Sequence, residues 1–195
     1  MRLSEYRKPE HEINNIFIER WSPRAMSGEI LSEDEIMSLF EAARWAPSSY
    51  NNQPWKFVYA RKNTEYWDKF FNLLIDFNKS WVKDAALLIL IISKRNFEYN
   101  NKPSVSHSFD TGAAWQNLAL QGSINGLVVH AMEGFDYEKA KQLFKIPDDY
   151  KIEAMIAVGK PGKKENLPKE LQGRESPSSR KKIGNFVSEG NFIQQ

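Results

Sequence analysis

The run Ala85–Ile92, "AALLILII", constrains this chain more than any other stretch. An unbroken apolar run of this length cannot alternate between core and solvent. It reads as a strand covered on both faces. It is far short of the ~20 residues that a membrane helix needs. A strand buried on both faces needs helices on each side, and the remaining sequence supplies them. In "LSEDEIMSLFEAARWAP", Ser32 and Glu35 form a capping box and Leu31 and Ile36 a hydrophobic staple. The stripe Ile36, Leu39, Phe40, Ala43 follows, and the helix must end near Pro47.

"HEINNIFIERW" carries Ile13, Ile16, Phe17 and Arg20 at helical spacing, and "TEYWDKFFNLLIDFN" reads as one amphipathic helix. "SHSFDTGAAWQNLALQGSINGL" reads as a long helix ending at Gly126, with Gly112, Ala113 and Ala114 small enough to admit another backbone. "DYEKAKQLF" is a shorter helix. "WKFVYA", "VVHAM" and "IEAMIAVGKPG" are further strands. Residues from Arg95 to Val105 are polar loop, and the tail from about Lys163 is polar and basic. Helices and strands interleave, so the class is α+β or α/β, in one domain spanning 1–195.

Composition removes several functions. The chain has no cysteine, which excludes disulfides, thiolate catalysis and cysteine-based zinc sites. A net charge of +2 is too small to argue for nucleic acid or a membrane surface. The N-terminus "MRLSEYRKPE" has no apolar signal core, so a cytoplasmic protein is expected. His11, His107 and His130 are widely separated, and no metal site is expected. Walker, GxGxxG, GxSxG and HExxH motifs are all missing.

What remains is neutral hydrogen-bonding chemistry beside a few cations. "PSSYNNQPWKF", Pro47 to Phe57, groups Ser48, Ser49, Asn51 and Gln53 with almost no charge. Amides donate and accept together, which suits the edge of a heterocycle. The same residues also build ordinary turns. Trp55 and the strand behind the loop offer it a rigid base. Arg20, Ser22 and Arg24 in "RWSPR" can converge as a phosphate clamp or remain a solvated turn. Arg180, Lys181 and Lys182 add cations in the tail. In "MEGFD", Gly134 permits a turn with an outward amide, and Asp136 can equally be a helix cap. No nucleophile or general base stands out, which fits chemistry carried by a bound cofactor.

"ERWSPRAM", "AARWAPSSYNNQPWKFVYA", "DTGAAWQNLALQGSINGL", "MEGFD" and "IAVGKPG" resemble, in order and spacing, the nitroreductase family of flavin enzymes. The resemblance covers almost the whole chain, from about Ile13 to Ile183. It implies an α+β fold, with a central mixed, mostly antiparallel sheet flanked by helices, in an intertwined homodimer that holds FMN at its interface. Arg20, Ser22 and Arg24 would then hold the phosphate and ribityl end, with Trp21 among them through its backbone and Arg24 also near the pyrimidine edge. Arg180 would close on the phosphate. Pro47, Ser48, Ser49, Asn51 and Gln53 would line the flavin from the partner subunit. Asn78 would reach the pyrimidine carbonyl side. Glu133 and Gly134 would lie beside N5, with the Gly134 amide as donor. Trp81 and Ser178 stand where some relatives carry a cation, leaving Arg24, and Lys181 or Lys182, to compensate.

The function this implies is hydride transfer from NADH or NADPH to a nitroaromatic, quinone, flavin or activated alkene by a ping-pong mechanism. Phe77, Trp81, Phe97 and Tyr99 suggest an aromatic acceptor under a small lid. A non-catalytic FMN carrier or sensor is the alternative, since the same residues would serve it. Nucleic-acid binding through the basic tail is disfavoured by the 25 acids that balance the charge.

Overall fold

In the computed structural model, residue 3 and residues 6–192 are described; the remaining positions of the expected single domain lie outside the described residues. The apolar run becomes β2 (Leu87–Lys94), which sits inside a four-stranded sheet. Its companions are β1 (Trp55–Arg61), β3 (Val128–Met132) and β4 (Tyr150–Gly159), in the order β1-β2-β4-β3. All pairings are antiparallel, so the sheet expected to be mixed is wholly antiparallel within the described residues.

Alternate residues of β2 feed two separate cores, as the pleat dictates. Leu88, Leu90 and Ile92 pack with Phe70, Trp81, Val82 and Ala140. These come from α3 (Trp67–Phe71), α4 (Asp76–Val82) and α6 (Tyr137–Leu143). Leu87, Ile89 and Ile91 pack with Ile36, Leu39, Ala114 and Leu118 of α2 (Glu33–Arg44) and α5 (His107–Ile124). The chain is therefore a helix–sheet–helix layering, α+β in class. Among the described residues no helix is long and apolar enough to cross a membrane.

Local chemistry sets the boundaries. Ser32 Oγ accepts from the Glu35 amide and the Glu35 carboxylate accepts from the Ser32 amide, so the capping box opens α2. Asp136 caps α6 by accepting from the Lys139 amide. Beyond the end of α5, Gly126 takes a φ of +71°, a left-handed geometry that favours glycine. A Cβ at Gly122 would overlap the Val129 side chain, so this glycine brings α5 onto β3. At Gly112 the space is open for 4 Å, and that face of α5 is uncovered by the chain itself.

Two expectations need correction. The helix read over "TEYWDKFFNLLIDFN" is two helices, α3 and α4, with residues 73–75 between them in a pairing with residues 134–136. There the Ile75 amide donates to Gly134 O and the Asp136 amide to Leu73 O. Long-range pairing wins over helical propensity in this segment. Near the N-terminus, α1 covers only Ile16–Glu19, because Arg20 is already extended at φ −67°, ψ 117°. A last short helix, α7 (Lys169–Gln172), seals the first core with Leu171.

Candidate functional site

Arg20 leaves α1 half-buried, and its Nη1 donates to Ser22 Oγ at 3.2 Å, so two residues of "RWSPR" do converge. Two further guanidiniums join them. Burial and the nearby Arg180 charge push Arg20 below its ordinary pKa. Arg7 is pushed down by burial, then by Arg180 and Arg20. No carboxylate pairs with Arg7, Arg20 or Arg180 among the described residues. Uncompensated cations held together are unfavourable unless an anion is to join them. In the tail, Arg180 turns back to donate to Ser178 Oγ at 2.9 Å.

Arg24 lies at the other end of the same turn. Glu175 Oε1 accepts from both the Arg24 and Ala25 amides, at 2.7 and 2.8 Å, and fixes the backbone there. The Arg24 guanidinium lies 6.0 Å from the Trp81 ring centroid, and His130 packs against Trp81 at 4.6 Å. His130 Nδ1 is 2.9 Å from Pro23 O, which only accepts, so this nitrogen carries the proton. Burial pushes His130 down to about 4, the Pro23 carbonyl opposes this, and Arg24 and Arg20 add to the lowering. The imidazole is therefore neutral at pH 7. Arg24 Nε and Trp81 Nε1 are buried donors with no acceptor among the described residues. Trp81 is only 1% exposed, so it forms floor rather than the acceptor wall expected of it.

Close to this stack, the buried Asn78 side chain donates to Gly134 O at 2.9 Å. Two residues far apart in sequence are thus joined, and Glu133 beside them is exposed. A Cβ on Gly134 would stand 2.5 Å from Asn78 Nδ2 and 2.7 Å from Ile75 Cδ1. Only glycine permits this approach. The Gly134 amide has no hydrogen-bond partner among the described residues.

The polar loop is strained. Tyr50, Asn51 and Gln53 have φ values of 52°, 52° and 48°. Asparagine tolerates that region; tyrosine and glutamine do so at a cost of ~1 kcal/mol or more each. Several contacts hold it in place. Ser48 Oγ accepts from the Gln53 amide at 3.0 Å, and Gln53 Nε2 donates to Asn51 O at 3.1 Å. Buried Asp110 of α5 accepts from the Ser49 amide and from Ser106 Oγ, both at 3.1 Å. Asn52 Oδ1 accepts from the Glu98 amide at 3.0 Å. Tyr50 packs against Phe97 and Tyr99 at centroid distances of 5.7 and 6.0 Å. Behind the loop, Pro54 and Trp55 are buried, while Pro47, Asn51 and Gln53 are exposed.

The start of α5 is anchored through the sheet. A bulge in β4 opposite Ile91 and Ile92 frees Glu153, which accepts from Ser93 and Ser108 at 2.6 and 2.7 Å and pairs with Lys151 at 2.8 Å. Burial alone would raise the Glu153 carboxyl, but these donors, Lys151 first, hold it below the usual range.

The arginine group and the loop are not connected. Among the described residues no hydrogen bond, ion pair or ring contact links Pro47–Gln53 to Arg20, Ser22, Arg24 or Arg180. Trp21, half-buried, lies in the same turn as the arginines. Arg7, Glu175, Asp110 and His130 were missed from sequence. Only the Ser106–Asp110 spacing at the start of α5 gave a local signal.

The Nitroreductase family model matches residues 18–80 and 74–160. Protein DrgA of Synechocystis sp. is 30% identical, over 69% of this chain and 79% of the relative. A solved oxidoreductase containing FMN superimposes with a TM-score of 0.93 at 39% identity, covering 97% of each chain. A Desulfovibrio desulfuricans protein solved in complex with FMN gives a TM-score of 0.73 at 25% identity, covering 95% of this chain and 100% of that one.

Proposed function

The chain belongs to the nitroreductase family, and we propose from that premise that it is an FMN-dependent oxidoreductase working between NAD(P)H and a planar aromatic acceptor. The observation that carries this reading is the group Arg7, Arg20 and Arg180, which no carboxylate pairs with among the described residues. A phosphate dianion is the natural partner of guanidiniums held this way. The unpartnered Arg24 Nε and Trp81 Nε1 are a second fit, because a heterocycle with carbonyl and ring-nitrogen acceptors answers such donors.

When bound, FMN supplies hydride acceptance from the nicotinamide and delivery to the second substrate, which makes the kinetics ping-pong. Arg20, Ser22 and Arg180 hold the phosphate. Arg24, fixed by Glu175 and Trp81, provides positive charge at the pyrimidine edge, where negative charge develops on reduction. Asn78 would reach the pyrimidine carbonyl side, and Glu133 and the Gly134 amide would lie beside N5. Ser48, Ser49, Asn51 and Gln53, on their strained loop, reach the ring from a second copy of the chain. Phe97 and Tyr99, packed on Tyr50, shape the acceptor pocket and exclude water. Cytoplasm, where NAD(P)H is regenerated, is the expected compartment.

The separation of the two halves and the open face of α5 support a homodimer. Phe109, Gly112, Gln116 and Ile124 lie at helical spacing along that face, all exposed. The test is to mix FMN-loaded protein anaerobically with NADH and then NADPH. Rapid loss of the absorbance near ~450 nm supports the enzyme. No loss with either nucleotide would make it a carrier of FMN.

A further inference from the structure

Arg7 lies well before the motif that carries the other arginines, yet it ties three parts of the chain together. Its Nη1 donates to Ile18 O at 2.7 Å and to Arg20 O at 2.8 Å. Its Nε donates to Ser178 O at 3.1 Å. The same Ser178 carbonyl accepts from Arg180 Nη1 at 3.3 Å. One guanidinium therefore grips the residue that carries one phosphate-binding cation and the turn that carries the other. The planar fork makes this possible, since it presents several fixed donors where an ammonium would offer a single point of charge.

Arg7 also contributes charge. Burial first, and then Arg180 and Arg20, push its guanidinium below the ordinary value, and the bonds to Arg20 O and to the Ser178 carbonyl shared with Arg180 hold the three cations near one another. Glu10, the carboxylate nearest in chain position among the described residues, accepts from the Ile183 amide at 2.8 Å. That bond is a second tie between the N-terminal arm and the tail. Between them, arm and tail line a cleft of about 490 Å³ that includes Arg7, Lys8, Glu10, Arg180, Lys181 and Lys182.

We infer that Arg7 is a positioning residue for the phosphate end of the cofactor site, clasping the Arg20 backbone to the Arg180 turn so that both guanidiniums are set before the anion arrives. This rests on the FMN reading above. Preorganisation of this kind improves affinity by removing an ordering cost at binding.

The test compares Arg7→Ala and Arg7→Lys with the unaltered protein, using FMN and riboflavin as separate probes. Flavin fluorescence reads affinity. Tryptic cleavage after residues 180–182 in flavin-free protein, followed by mass spectrometry, reads the clasp without any cofactor. Both variants are expected to lose about 10-fold or more in FMN affinity, with riboflavin affinity changed by less than about 2-fold because it has no phosphate. Tail cleavage should quicken in both. Unchanged FMN affinity in Arg7→Ala overturns the proposal, as does a parallel loss for FMN and riboflavin. Full recovery in Arg7→Lys also overturns it, because charge alone would then suffice. If the unaltered protein binds no FMN, the flavin reading itself falls, and Arg7 falls with it. If it binds FMN while the variants behave like it, only the Arg7 assignment fails.

Discussion

At the scale of residues, the site consists of small groups held by distant partners. Gly134 shows how tight the fit is. Gly134→Ala drives a methyl group into Asn78 and Ile75 and should cost about 1–3 kcal/mol by overpacking. A lowered midpoint in thermal unfolding, with weakened FMN binding, is the expected pair of results. An unchanged midpoint would show that the turn has room after all. Asp110→Ala removes the acceptor of the Ser49 amide and should destabilise the loop by about 1–3 kcal/mol. Faster hydrogen exchange at residues 48–53 would report it. The approach of Arg20 to Ser22 was legible in sequence because the two lie on alternate residues of one turn, whereas Arg24 lies at its other end beside Trp81. Glu175 could not be read there, since it meets the Arg24 amide across 151 positions of chain and lies among polar tail residues that resemble it. Arg7 meets Ser178 across 171 positions, with the same result.

Elements were easier to foresee where periodicity and caps agreed. α2, α5, α6 and all the strands were visible, and the unbroken apolar run found both faces covered. The helix expected over "TEYWDKFFNLLIDFN" failed because residues 73–75 pair with residues 134–136, a contact that no local pattern announces. That break matters for the site, since it places Asn78 against Gly134. Strain in the polar loop was likewise invisible, because its asparagines and prolines suit relaxed turns equally well. On β3, His130 gives an element-level prediction. Its pKa in the fold is about 4 against an ordinary 6.5, so between those values the unfolded chain binds the extra proton. Stability should therefore fall as pH drops through this window, by about 3 kcal/mol in total from this group. Urea unfolding at pH 7 and at pH 4.5 should show the loss, and His130→Gln should flatten it. An equal loss in the variant would assign the acid limb to other groups, among them His107, whose pKa burial also lowers.

For the whole molecule, one chain presents both halves of the site without joining them, and it leaves a face of α5 open. A second copy of the chain is therefore proposed to complete the site. Replacing Phe109 and Ile124, 81% and 65% exposed, by Asp and Glu should leave the monomer folded. Sedimentation should then show one copy in place of two, and FMN affinity should fall with the dimer. A variant that stays dimeric would move the interface elsewhere. At its guanidinium-lined end, this chain is proposed to seat the phosphate of FMN. An equilibrium titration of flavin-free protein with FMN, run beside Arg20→Ala, tests it most directly. The expected result is saturation at one FMN per chain, with affinity about 10- to 100-fold weaker in a folded variant. Equal affinities in the two proteins, or no binding by either, would contradict it.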